Sequence, residues 1–79
     1  MQKQYINNEL IKDIISTIKS IRKKNKVTLE IFYIDTGIHL ARIEQGKINI
    51  TISTLYQICT YFNLSLKDFF IYMDEIKQT

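Results

Sequence analysis

An all-α fold is what this sequence predicts, and three observations support it. Apolar residues recur at helical spacing in several separate segments, and these segments are bounded by residues typical of helix caps. The chain has no proline, and 46% of its 79 residues are hydrophobic. One segment, 47–54, alternates like a strand but has no second strand to pair with, so we expect an extended loop there.

The first two predicted helices occupy the N-terminal half of the chain. One begins at a cap, Asn8, and runs to about Lys24. The other is short, "LEIFYI", and follows a capping Thr28, with Phe32 and Ile31 as its apolar face. The buried stripe of the first helix consists of isoleucines at helical spacing: Ile11, Ile14, Ile15, Ile18 and Ile21.

The third predicted helix covers about 36–45. Asp35 or Thr36 caps its start, and Gly46 ends it, because glycine accepts the left-handed conformation that follows many helices. Its core-facing residues, three positions apart, are Leu40 and Ile43.

Two further helices complete the predicted fold. The fourth is capped at Thr51 or Ser53 and is broken at Asn63. The fifth opens with "SLKD", a capping box in which Ser65 precedes Asp68 by three positions. Their apolar residues are Leu55, Ile58, Cys59 and Phe62 in the fourth helix, and Leu66, Phe69, Phe70 and Met73 in the fifth.

Residues that could support catalysis are few. His39 is the only histidine, and the only cysteine, Cys59, is placed in a helix core as a small hydrophobe. The sequence has no residues at the spacing typical of metal ligands and no Gly-rich phosphate loop. We therefore expect that the protein is not an enzyme and binds no metal or cofactor. A lone cysteine, with no apolar run long enough for a membrane span or a signal peptide, predicts a soluble cytoplasmic protein.

Positive charge is concentrated near the N-terminus. Residues 1–26 carry seven Lys or Arg against two acidic residues, whereas residues 27–79 carry four against six. The run "KSIRKKNK", residues 19–26, holds five cations and no acid. This run indicates polyanion binding, or else a solvated helix end whose cations complement the helix dipole.

Two short helices joined by a turn, from Thr28 to Gly46, indicate a helix-turn-helix. The segments "SIRKKNKVT" and "RIEQGKINITISTLYQICTYFNLSLKDFF" resemble the Cro/repressor-type (Xre) helix-turn-helix family, with its typical "LRxxxGLT" and "RIExGxxxPSxxTLxxIAxxLxVSLxxLF". The resemblance spans about 20–70 and implies a compact five-helix, repressor-like DNA-binding domain. We expect one domain, 1–79, in which an extended first helix and the C-terminal helix flank this core.

The chain departs from the family pattern at several positions. Between Thr28 and Glu44 it is about three residues shorter, and Leu29 replaces the usual Gln. Lys26 and Ile50 replace a Gly and a Pro. In the register counted back from Glu44, the resemblance implies base contacts at the start and outer face of the third helix, from Gly37, Ile38, His39 and Arg42.

The chemistry of these side chains fits base recognition. Arg42 can pair with guanine through two hydrogen bonds, His39 can donate one, and Ile38 can touch a thymine methyl. Arg42 could instead form an ion pair with Glu44 or Asp35, and Ile38 could instead belong to the core. The expected phosphate contacts lie at helix N-termini and in the loop after the third helix: Thr28, Thr36, Lys47, Asn49 and Thr51.

The C-terminal helix carries more apolar surface than a monomer needs. Ile71, Tyr72 and Ile76 therefore predict a homodimer interface, although packing on the first helix, with Leu10 and Ile6, would also account for them. We expect a sequence-specific regulator that binds double-stranded DNA. The alternative is a protein-interaction module, such as an antitoxin, whose C-terminal helix binds a partner protein.

Overall fold

Local hydrogen bonds explain where most of the helices begin. In the computed structural model, which describes residues 7–46 and 49–77, the described residues form helices and no β-strand. The predicted all-α class is therefore confirmed. The helices are α1 (Asn8–Lys24), α2 (Leu29–Thr36), α3 (Leu40–Glu44), α4 (Ile52–Tyr61) and α5 (Leu66–Lys77).

Four polar side chains accept a hydrogen bond from a backbone N–H three residues later, which satisfies a donor that the helix start would leave free. Thr28 caps α2 at 3.0 Å, and Thr51 caps α4 at 3.1 Å. Ser65 does the same before α5 at 3.0 Å. For α1 the cap is Asn7, at 3.0 Å, rather than the predicted Asn8. The predictions for the other three helices are confirmed.

The core lies where α1 meets α3 and α5, with α2 packed on α3 and α4 on α5. The predicted stripe of α1 supplies three of its buried isoleucines. In α2 only Phe32 is buried, whereas Ile31, predicted on the apolar face, is 47% exposed. The buried hydrophobic residues are Ile14, Ile18, Ile21, Phe32, Leu40, Ile43, Leu55, Ile58, Cys59, Phe69 and Met73.

The third helix is shorter than predicted. Thr36 does not cap it but closes α2, where its hydroxyl donates to the Phe32 carbonyl at 2.7 Å and accepts from the Ile38 N–H at 3.0 Å. Gly37 follows in the left-handed conformation with φ 75°, which glycine adopts without steric cost. The helix therefore starts at Leu40, and the predicted start at residue 36 is wrong.

The predicted ends of two helices are confirmed. Gly46 has φ 74° just after α3, and Asn63 has φ 58° after α4. Both residue types tolerate the left-handed region better than most. Within the described ranges, none of the helices is long and apolar enough to cross a bilayer.

Candidate nucleic-acid interface

The inner side of α3 is tied to α1 by a bidentate ion pair. Arg22 Nε lies 2.7 Å from Glu44 Oε2, and Arg22 Nη2 lies 3.0 Å from Glu44 Oε1. A third donor, Nη1, reaches the Val27 carbonyl at 3.0 Å. The two charged side chains are only 11% and 8% exposed. One guanidinium thus holds the end of α1, the turn before α2 and the end of α3 together.

The hydrogen bond to Glu44 raises the pKa of Arg22 above its usual value, although burial by itself would lower it. Sequence reasoning missed this pair, because it treated Arg22 as part of the basic run 19–26 and considered Glu44 only as a possible partner of Arg42. The signal that could have found Arg22 is its position four residues after Ile18, on the buried stripe.

The outer side of α3 presents a different arginine. Arg42 is exposed, and within the described ranges its guanidinium forms no ion pair. The two acids that could have paired with it are engaged elsewhere. Glu44 binds Arg22, and Asp35 accepts a 2.6 Å hydrogen bond from the Tyr61 hydroxyl, which raises the pKa of Tyr61. Since no residue in 7–46 or 49–77 accepts a side-chain hydrogen bond from Arg42, its five N–H donors are available to a ligand.

The turn before α3 holds the other predicted base-contact residues. Gly37 and His39 are exposed, whereas Ile38 is half-buried against the core, as its alternative assignment expected. The His39 ring stacks on Tyr33 of α2 with ring centroids 4.4 Å apart. The His39 carbonyl accepts the Arg42 N–H at 3.1 Å, so the first turn of α3 sets the spacing between these two side chains.

The predicted phosphate-contact residues fall into three groups. Thr28 and Thr51 are exposed caps at the N-termini of α2 and α4, and Asn49 is exposed before α4. Thr36 is half-buried and hydrogen-bonded within α2, so the reason for choosing it, a cap on α3, was wrong. Lys47 lies outside the described residues.

The end of α1 remains strongly basic without Arg22. Lys19, Lys23, Lys24 and Lys26 are all exposed. The Lys24 ammonium lies 5.5 Å from the Tyr72 ring centroid, which is a cation–π contact across α1 and α5. This end of the molecule therefore keeps a positive surface close to the turn that leads into α2.

The three residues predicted at a dimer interface are not equivalent. Ile71 is 48% exposed, whereas Tyr72 and Ile76 are half-buried. The Tyr72 hydroxyl lies 3.1 Å from Ser20 Oγ on α1, so packing on the first helix accounts for this side chain. Of the other residues in that alternative, Leu10 is exposed and Ile6 lies outside the described residues.

The part of the chain that the structure describes contains no cluster of side chains that could bind a metal ion. No group of three or more His, Cys, Asp or Glu side chains comes together in those ranges. Cys59 is buried in α4, and its burial raises the pKa of the thiol. His39 has Tyr33, rather than an acid or thiol, as its ring neighbour.

Comparisons with known proteins bear on the helix-turn-helix. A search of curated proteins returned no match, and a search of solved structures returned none. A family model described as a Cro/C1-type HTH DNA-binding domain matches residues 17–75, which include all of α2 and α3. The resemblance inferred from the sequence motifs is thereby confirmed. The chain belongs to the family of Cro/C1-type helix-turn-helix DNA-binding domains.

Proposed function

We propose that this protein is a transcriptional regulator that recognises a specific duplex sequence with the turn before α3 and the outer side of that helix. The observation that carries the proposal is Arg42, which is exposed and forms no ion pair with the described residues, on a helix whose inner side is anchored by Arg22 and Glu44. In helix-turn-helix proteins the second helix enters the major groove. Arginine is the commonest side chain to read guanine there, through a bidentate pair.

Electrostatic attraction to the phosphates would come from several elements around this surface. Thr28 and Thr51 begin α2 and α4, whose N-terminal N–H groups favour anions. The lysines at the end of α1 add positive charge that falls on no particular base. Such contacts position the protein, whereas Arg42 and its neighbours supply the sequence preference.

We further propose that the active form is a homodimer in the cytoplasm, where the buried, free Cys59 would stay reduced. Ile71 supports the dimer because it is a large apolar residue that α5 leaves exposed. A two-fold dimer would require a pseudo-palindromic site with half-sites about one helical turn apart. Sedimentation at micromolar concentration should show twice the 9.4 kDa chain mass.

Ile71→Glu tests that dimer more cleanly than a substitution at Tyr72 would, because Tyr72 also contacts α1 and its replacement could disturb the fold. Ile71→Glu should shift the protein to monomer without unfolding it. Wild-type protein that stays monomeric well above its DNA-binding concentration would contradict the dimer but leave DNA recognition standing.

The decisive experiment is selection of duplexes from a random library at a stated salt concentration. Enrichment of one sequence supports the proposal, and a palindrome supports the dimer as well. Folded wild-type protein that enriches nothing would contradict sequence-specific recognition. The protein-interaction alternative would then be the better account, and a DNA-independent partner would be sought for α5.

A further inference from the structure

We propose that Tyr33 of α2 positions His39 for base recognition and is thereby a residue that determines sequence preference. The inference rests on the proposed function, because it assigns part of the reading surface to α2. It concerns the contact between Tyr33 and His39, which links the first helix of the motif to the turn before the second.

The geometry is that of a surface stack. The two ring centroids are 4.4 Å apart with 30° between the ring planes, and Tyr33 is 45% exposed. Aromatic pairs at such distances favour offset stacking, so the phenol ring limits the rotamers open to the imidazole. The turn between α2 and α3 has only three residues, 37–39, and this shortness keeps the rings together.

The role of Tyr33 is not explained by the fold. Phe32, its neighbour, fills the core, and two other tyrosines use their hydroxyls in hydrogen bonds, Tyr61 to Asp35 and Tyr72 with Ser20. The Tyr33 hydroxyl has no hydrogen-bond partner among the described residues. Its one ring contact there is His39.

The stack lies one helical turn from Arg42 along the chain. His39 precedes Arg42 by three positions, and the Arg42 N–H donates to the His39 carbonyl at 3.1 Å. Residues three apart around a helical turn are neighbours on one side. An imidazole N–H can donate one hydrogen bond to guanine N7 or O6, and a donor already held in its binding rotamer loses less entropy on binding. Tyr33 of α2 supplies that restraint by stacking on the imidazole.

The test compares the base preference of substituted proteins with that of the wild type, using the sequence that the wild type selects. Tyr33→Ala and His39→Ala should each reduce the preference at one base pair by about three- to tenfold, the size of one hydrogen bond. Combining them should cost no more than either alone. Tyr33→Phe keeps the stack, so its preference should stay within about twofold of the wild type.

Each result decides the inference. If the losses from Tyr33→Ala and His39→Ala multiply, or if only His39→Ala matters, Tyr33 does not act through His39. If Tyr33→Phe loses as much as Tyr33→Ala, the hydroxyl rather than the stack is responsible, and the inference fails. Tyr33→Leu replaces Tyr33→Ala should that variant not fold. Wild-type protein without any selected sequence would overturn the proposed function, and this inference with it.

Discussion

The two sides of α3 each have an arginine, Arg22 of α1 on the inner side and Arg42 of α3 itself on the outer side, and the two guanidinium groups are in opposite settings. On the inner side, Arg22 is buried and held by Glu44 and the Val27 carbonyl. On the outer side, Arg42 is exposed and forms no ion pair within the described ranges. A buried guanidinium whose three nitrogens each donate a hydrogen bond cannot bind a ligand without breaking those bonds, whereas an exposed one can. The inner side of the helix therefore serves the fold, and the outer side is free for the recognition that we propose.

Replacing Arg22 tests the inner side and should have the largest effect. Arg22→Ala leaves the Glu44 carboxylate buried and unpaired, which typically costs about 3–5 kcal/mol. That is a large part of the roughly 4–12 kcal/mol expected for a domain of this size. Urea unfolding would measure the free energy of unfolding in each variant.

The control for this change removes both charges. Arg22→Leu combined with Glu44→Leu should be more stable than either single substitution, because no unpaired charge remains. A double variant as unstable as the single ones would show that the ion pair itself, rather than an orphaned charge, supplies the stability.

Replacing Arg42 tests the outer side. Arg42→Ala should cost about 1–3 kcal/mol of affinity per half-site on the selected sequence and relax the preference at one base pair. Its effect on unfolding should be within about 0.5 kcal/mol, as for other surface changes. Arg42→Lys keeps the charge but loses the bidentate geometry. Compared with Arg42→Ala, it should therefore recover more of the affinity than of the base preference.

Titrations of matched specific and scrambled duplexes separate these effects. A uniform loss of affinity across sequences would make Arg42 a phosphate contact. No loss at all in a folded variant would mean that the outer side of α3 does not face DNA.

The turn that Arg22 holds contains a strained residue, which gives a third and smaller test. Lys26 has φ 57°, a left-handed conformation that costs a non-glycine residue about 1–2 kcal/mol. Lys26→Gly should therefore stabilise the protein by about 0.5–1 kcal/mol after the greater flexibility of the unfolded chain is counted. Lys26→Ala, which removes the charge but keeps the strain, is the matched control in thermal unfolding. Equal effects of the two substitutions would point to charge instead.

The smallest effect is expected from a single lysine, Lys47, which follows Gly46 in the sequence. Lys47→Ala should weaken all sequences about equally and flatten the slope of log affinity against log salt by roughly one unit per half-site. Base preference should not change. A changed preference, or an unchanged slope over a salt series, would contradict the phosphate contact predicted for Lys47.

The sequence by itself determined the parts of this protein that depend on near neighbours. Apolar spacing located the five helices, and Thr28, Thr51 and Ser65 cap the helices that they precede in the sequence. A cap acts over three residues, so its signal is contained in a short stretch of chain. The family motifs also cover contiguous segments, and the family assignment that they indicated is confirmed.

Only the tertiary structure decided which charges are buried and where α3 begins. Arg22 and Glu44 are 22 positions apart, and neither residue type reveals its partner when its own segment is considered alone. Thr36 could cap a following helix or end a preceding one, and in the structure its hydroxyl donates to the Phe32 carbonyl at the end of α2. Tyr33 of α2 and His39 of the following turn meet because that turn has only three residues. These outcomes depend on packing between segments, which local sequence patterns do not specify.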